Sequence, residues 1–175
     1  VQRLLGNVEM RQDSVYFYGD TAIIVNEVDI NAYGNVLIQQ GDSLSIFGDS
    51  LVYQGENKIA DLYGDVVLIN KGQKLFTDRL NYDLNTKIAT YNTGALLTND
   101  TTQLSSKTGY YFVNQDEAFF KDSVLVVDPD FELRSDTLKF NTTTQVVTFL
   151  GPTLITQEDS RIYSESGFYD VRNKA

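Results

Sequence analysis

Neither cysteine nor histidine occurs in this 175-residue chain. The first absence removes disulfides, thiol nucleophiles and Cys-based metal sites together. It suits a compartment in which stray thiols oxidise, a weak pointer because many cytosolic chains also lack Cys. The second removes Ser-His-Asp and Cys-His catalysis and the common zinc ligand sets. Proline is scarce, two in all, while Val, Ile, Thr, Tyr and Phe are abundant, a composition that favours strands over helices. No apolar run approaches the ~18 residues of a membrane-spanning helix. The opening "VQRLLGNVEM" lacks the basic and apolar regions of a signal peptide, as a processed or excised chain also would. Positive charge is short as well: 14 Lys and Arg against 24 Asp and Glu leave a net charge of -10. That balance argues against nucleic acid and anionic membrane surfaces as partners, because both need a cationic footprint. No phosphate-cradling glycine loop is present either.

What is there is a repeat. At 42% hydrophobic and 22% charged, the chain has the composition of a folded protein, long enough for one domain or a short repeat array. The phrase "IFGDSLVY" (46–53) returns as "LFTDRLNY" (75–82) and "LRSDTLKF" (133–140). Its central acid steps by 29 residues through Asp20, Asp49, Asp78, Lys107, Asp136 and Glu165. Three residues earlier stand Phe17, Ile46, Leu75, Leu104, Leu133 and Ile162, all apolar; four residues later stand Ile24, Tyr53, Tyr82, Tyr111, Phe140 and Tyr169, five of six aromatic. Between these lies a second phrase, "AYGNVLI", "LYGDVVLI", "FFKDSVLVV" and "FLGPTLI", whose apolar residues alternate as half-buried strands do. Turn-forming stretches such as "QGENK" and "DLNTK" separate the phrases.

Each repeat therefore reads as two strands and a turn, about a dozen strands in an all-β chain. One unit cannot bury its apolar face alone, so the copies must stack over a shared core. The first phrase changes parity midway: Leu44 and Ile46 share one parity, Leu51 and Tyr53 the other. A bend at the Asp column is required if all four are to face inward. The array begins and ends in mid-unit, which predicts a single domain, 1–175, that is a piece of a longer array with strand edges available for pairing.

Residues 33–91, from "YGNVLIQQGDSLSIFGDSLVYQ" through "LYGDVVLINKGQKLFTDRLNY", strongly resemble the OstA-like family, which includes the periplasmic lipopolysaccharide-transport protein LptA and the N-terminal domain of LptD. The shared pattern is G-N/D-V, an apolar-G/T-D-x-L-x-Y stretch, then the next G-N/D-V. The resemblance extends loosely over repeats four to six, where "NTGALL" replaces G-N-V and Lys107 replaces the Asp. "TGYYFVNQDEAFFKDSVLVVDP" is most similar to the longer OstA-like proteins of the Bacteroidetes group. The resemblance implies an open β-jellyroll of stacked antiparallel strands. It also implies a periplasmic location, associated with the outer membrane, lipid A acyl chains held inside, and jellyroll partners joined end to end.

The candidate lipid-binding residues are the inward columns: Ile46, Leu51, Tyr53, Leu75, Leu80, Tyr82, Leu104, Tyr111, Leu133, Leu138 and Phe140 from the first phrase. Val36, Ile38, Val66, Leu68, Leu97, Val124 and Val126 join them from the second. Burying acyl methylenes contributes about 0.8 kcal/mol each, so a few chains suffice without polar readout. The competing reading is a dry packed core. A calcium ladder along the acidic column fails for lack of converging oxygens, so no metal or cofactor is expected. A glycosidase pair fails because several equivalent acids offer no unique pair, and no enzyme is expected. Asp-Ser/Thr-apolar tripeptides resemble the O-glycosylation signal of Bacteroidetes periplasmic proteins, which makes Ser14, Thr21, Ser43, Ser50, Ser123 and Thr137 candidate acceptors; turns and strand starts favour the same residues. The expectation is thus a non-enzymatic lipopolysaccharide or lipid A carrier that self-assembles or joins other transport jellyrolls. The alternative is a structural or adhesive β-repeat with a filled core.

Overall fold

A computed structural model describes all of residues 1–175. Its regular structure is sixteen strands and one short 3-10 turn, Val113–Gln115. Two compact units divide the chain, Val1–Ala89 and Thr90–Ala175.

The first unit is an antiparallel meander of six long strands: β1 (Gln2–Gln12), β2 (Val15–Val25), β3 (Asp29–Gln40), β4 (Leu44–Gln54), β5 (Ile59–Asn70) and β6 (Gln73–Asp83). Every ladder slips once near its middle, for example between Tyr33 and Val36 on β3 and between Tyr63 and Val66 on β5. At these points β1, β3 and β5 carry two successive left-handed residues: Gly6–Asn7 (φ 76° and 46°), Gly34–Asn35 (76° and 47°) and Gly64–Asp65 (79° and 42°). Glycine adopts that conformation freely, and Asn and Asp tolerate it best among the rest. The Gly-Asn/Asp of the second phrase is thus a backbone device, a bulge repeated in alternate strands.

In β4 and β6 the inward parity switches instead, from Leu44 and Ile46 to Leu51 and Tyr53, and from Leu75 to Leu80 and Tyr82. The acid expected at this corner lies over the glycine of the next strand. A Cβ placed on Gly64 would stand 2.3 Å from Asp49 Oδ2, and one on Gly34 2.5 Å from Asp20 Oδ2. Asn35 Nδ2 also donates to Asp20 Oδ2 at 2.9 Å.

The bulge line folds the meander over into two layers. On a flat sheet the three steps from β1 to β4 would span about 14 Å at ~4.8 Å per strand. Yet Tyr53 Oη donates to Gln12 Oε1 at 2.7 Å, and the rings of Phe17 and Tyr53 lie 4.7 Å apart. One layer holds the strand halves beside Gln12, Gln40 and Asn70; the facing layer holds those beside Val25, Tyr53 and Tyr82.

The second unit follows the same plan with most corners broken. Its strands are β7 (Ile88–Tyr91), β8 (Ala95–Asn99), β9 (Thr102–Ser106), β10 (Thr108–Phe112), β11 (Glu117–Asp128), β12 (Phe131–Asn141), β13 (Val146–Phe149), β14 (Thr153–Gln157), β15 (Ser160–Ser164) and β16 (Gly167–Asp170). Only β11 and β12 run through the corner. β10 pairs the first half of β11 and β9 the second; β14 pairs the first half of β12 and β13 the second. The two layers therefore diverge from these two strands. At the corner of β11 the left-handed pair is Asp122–Ser123 (φ 65° and 56°), where no glycine is present. Pro152, between β13 and β14, cannot donate to a ladder. The dozen strands read from the repeat become sixteen because β7/β8, β9/β10, β13/β14 and β15/β16 are each one long strand cut at the corner.

Candidate functional site

The eighteen apolar residues expected to face inward all do so. None of them is more than 2% exposed, from Val36, Ile38 and Ile46 in the first unit to Leu133, Leu138 and Phe140 in the second. In each unit they fill the space between the layers and pack on one another. The alternation that makes this possible is visible in β5, where Ala60, Leu62, Val66 and Leu68 are buried and Asp61, Val67 and Ile69 are only half-buried. Ile162, last in its column, departs from the pattern: it is 49% exposed because β15 pairs with β14 alone and is exposed along most of its length.

Two features of this interior were not read from the sequence. The first is that several inward tyrosines end in hydrogen bonds at the rim away from the corner. In the first unit Tyr53 reaches Gln12 at 2.7 Å and Tyr82 reaches Gln40 Oε1 at 2.6 Å, while Gln40 Nε2 donates to the Leu84 carbonyl at 3.1 Å. In the second, Gln157 Nε2 donates to Tyr169 Oη at 2.7 Å, with the Phe131 ring 4.7 Å from that of Tyr169. Burial pushes the phenols of Tyr53, Tyr82 and Tyr169 up, with smaller contributions from the Asp13 and Asp83 carboxylates at the first two. Burial likewise pushes Tyr91, bonded to Ser106 Oγ at 2.7 Å, up to about 12. All therefore remain neutral, as hydrogen-bonding ends on otherwise apolar side chains.

The second feature is a set of side-chain links to Asp carboxylates. Lys58, at φ 55° in the turn between β4 and β5, reaches Asp13 Oδ2 at 3.3 Å. In the second unit Gln145 Nε2 reaches Asp100 Oδ2 at 3.0 Å, and Lys174 pairs with Asp130. The columns could have disclosed the pairs Gln12–Tyr53, Gln40–Tyr82, Asp13–Lys58 and Asp100–Gln145, whose partners lie 41 to 45 residues apart rather than at the 29-residue period.

No cluster of three or more acidic side chains is arranged to hold a metal ion. Asp20 and Asp49 sit on the corner, packed over Gly34 and Gly64 of the next strand, with Asp20 also accepting from the Asn35 side chain. The candidate glycosylation residues are all reachable: Ser14, Ser43 and Ser123 are exposed, and Thr21, Ser50 and Thr137 half-buried.

The family model described as OstA-like protein matches residues 1–136. The chain belongs to the OstA-like family. Among fourteen matching chains of solved structures is that of LptH from Pseudomonas aeruginosa, titled the LptA-homologous periplasmic component of the conserved lipopolysaccharide transport device. The two are 21% identical, with a TM-score of 0.54 over 59% of this chain and 79% of the LptH chain. At that identity the likeness concerns the fold, and it makes this OstA-like chain an all-β jellyroll of the LptA type. No curated protein matches the chain.

Proposed function

We propose that this OstA-like protein is a non-enzymatic, periplasmic carrier of lipopolysaccharide, holding the acyl chains of lipid A between its two layers while the sugars stay in solvent. The observation that carries the reading is the interior itself. Eighteen largely apolar side chains, repeated strand after strand, line the inner faces, and polar ends such as the Tyr53 and Tyr82 hydroxyls are taken up in hydrogen bonds at the rim. The net charge of -10 fits the same division, because an acidic surface offers nothing to the anionic sugar phosphates and leaves recognition to the methylenes. Membership of the OstA-like family, and the transport role named for LptH, support the assignment. Transport along such a surface is passive, so its direction is set by other components.

Binding of purified lipopolysaccharide is the test, with Leu80→Asp and Tyr82→Asp as probes. Each places a carboxylate at a position that is 0% exposed, and binding that persists in a still-folded variant contradicts the reading. The tight packing of the interior favours a second reading, a structural β-repeat with a filled core. Wild-type protein that takes up no lipid selects it.

End-to-end joining, to other jellyroll proteins or to a second copy, accompanies the carrier role. The edges of β1 and β15, each paired on one side only, support strand addition. Such joining gives a mass that rises with concentration in sedimentation, and a monomer throughout refutes it for this chain. O-glycosylation at Ser14, Thr21, Ser43, Ser50, Ser123 or Thr137 fits their accessibility; an intact mass equal to the bare chain removes it.

A further inference from the structure

We infer that the rim of the first unit opposite its corner is a lateral port into the interior, latched by the pairs Gln12–Tyr53 and Gln40–Tyr82. The inference rests on the lipid-carrying reading and adds the route and the residues that control it. The two long sides of the unit differ in kind. Along the corner every strand passes covalently from one layer to the other, so nothing can enter there without unfolding the sheet. Along the opposite rim no ladder crosses. Turns 13–14 and 41–43 of one layer face turns 55–58 and 84–87 of the other, and the links between them are made by side chains.

These links are individually weak. Tyr53–Gln12 and Tyr82–Gln40 are neutral hydrogen bonds whose net contribution is small because water replaces either partner. Lys58–Asp13 is largely in solvent, at 39% and 75% side-chain exposure, and pairs of that kind contribute little. What they cover is strongly apolar. Tyr53 lies against Phe17, with ring centroids 4.7 Å apart and both residues no more than 1% exposed. Turning the Tyr53 side chain outward thus uncovers the interior directly. An acyl chain that replaces it supplies the apolar contact that the ring gives up, and the freed hydroxyl and amide meet water. The tyrosines suit a latch because each carries both an apolar body for the closed interior and a polar end for the open one.

The chain's lack of cysteine makes a direct test available. Asp13→Cys and Lys58→Cys, introduced together in exposed turns, are bridged with a short bis-maleimide or capped singly with N-ethylmaleimide. Uptake of cis-parinaric acid from solution is then followed by fluorescence. The expected result is loading slowed at least tenfold in the bridged protein and normal in the capped one. Equal rates in both mean entry elsewhere and overturn the port. Uptake in neither, with none in wild type, overturns the lipid-carrying reading and the port with it. A second arm uses Tyr82→Phe, which keeps the ring and deletes the hydrogen bond. Loading should quicken by about fivefold, the factor that ~1 kcal/mol of lost latch corresponds to. An unchanged or slower rate in a protein of unaltered circular dichroism refutes the latch.

Discussion

Replacing Gly64 by alanine tests the corner that folds the strands into two layers. Two effects add at this position. With φ at +79°, an L side chain sits in the left-handed region at a cost of about 1–2 kcal/mol. The new Cβ would also stand 2.3 Å from Asp49 Oδ2 and 2.9 Å from Asp49 Cβ. The acid cannot withdraw fully, because its own Cβ is part of the conflict, so an overpacking cost of about 1–3 kcal/mol follows. The total is about 2–5 kcal/mol. Gly72 supplies the control: its φ is +82°, it lies in the two-residue turn between β5 and β6, and nothing approaches its Cβ within 4 Å. Gly72→Ala should therefore lose only about 1–2 kcal/mol. Urea unfolding followed by circular dichroism measures both. Combining Gly64→Ala with Asp49→Ala should recover part of the difference, since the carboxylate leaves and the Cβ remains. Equal losses at Gly64 and Gly72 would refute the idea that Asp49 and Gly64 form one packed corner.

Two further outcomes follow from the buried polar groups. Asn99 is 4% exposed and its Nδ2 has no partner; it lies 41 residues before Phe140, the spacing of Gln12 from Tyr53. Phe140→Tyr should place a hydroxyl oxygen where that amide can donate, raising stability by about 0.5–1.5 kcal/mol; a lower urea midpoint contradicts the equivalence of the two sites. Alkaline pH acts through the buried tyrosines. Tyr91 is raised from 10.0 to about 12, so its folded form holds the proton after the unfolded chain has lost it. Its contribution is complete below about pH 10 and is lost as pH rises toward 12. Thermal melts from pH 8 to 12 should show this fall, and a midpoint that stays flat across pH 10–12 refutes it.

Much of this was legible because the fold is a stack. A 29-residue period fixes which side chains meet from one copy to the next, and the parity change between Ile46 and Leu51 announces a corner. The inward set followed from those two facts alone. The cut strands of the second unit were harder to read, since apolar alternation persists on both sides of Lys107 and Pro152 while the ladder itself stops. The role of Gly-Asn/Asp was hidden for a related reason. A double left-handed bulge within a strand leaves the flanking alternation intact, so the phrase reads as a plain half-buried strand. The rim pairs escaped because they join layers rather than neighbouring strands, and their separation is that of two turns facing each other across the interior. How readily the layers part depends on the balance between these weak links and the apolar packing beneath them.

The most direct measurement is site-specific photo-crosslinking to lipopolysaccharide. A benzophenone side chain is placed at Leu68, which points between the layers at 0% exposure, or at Phe76, which points outward at 39%. A lipid adduct is expected from position 68 and none from position 76. Adducts from Phe76 alone, or from neither position in a folded protein, would contradict an interior that holds acyl chains.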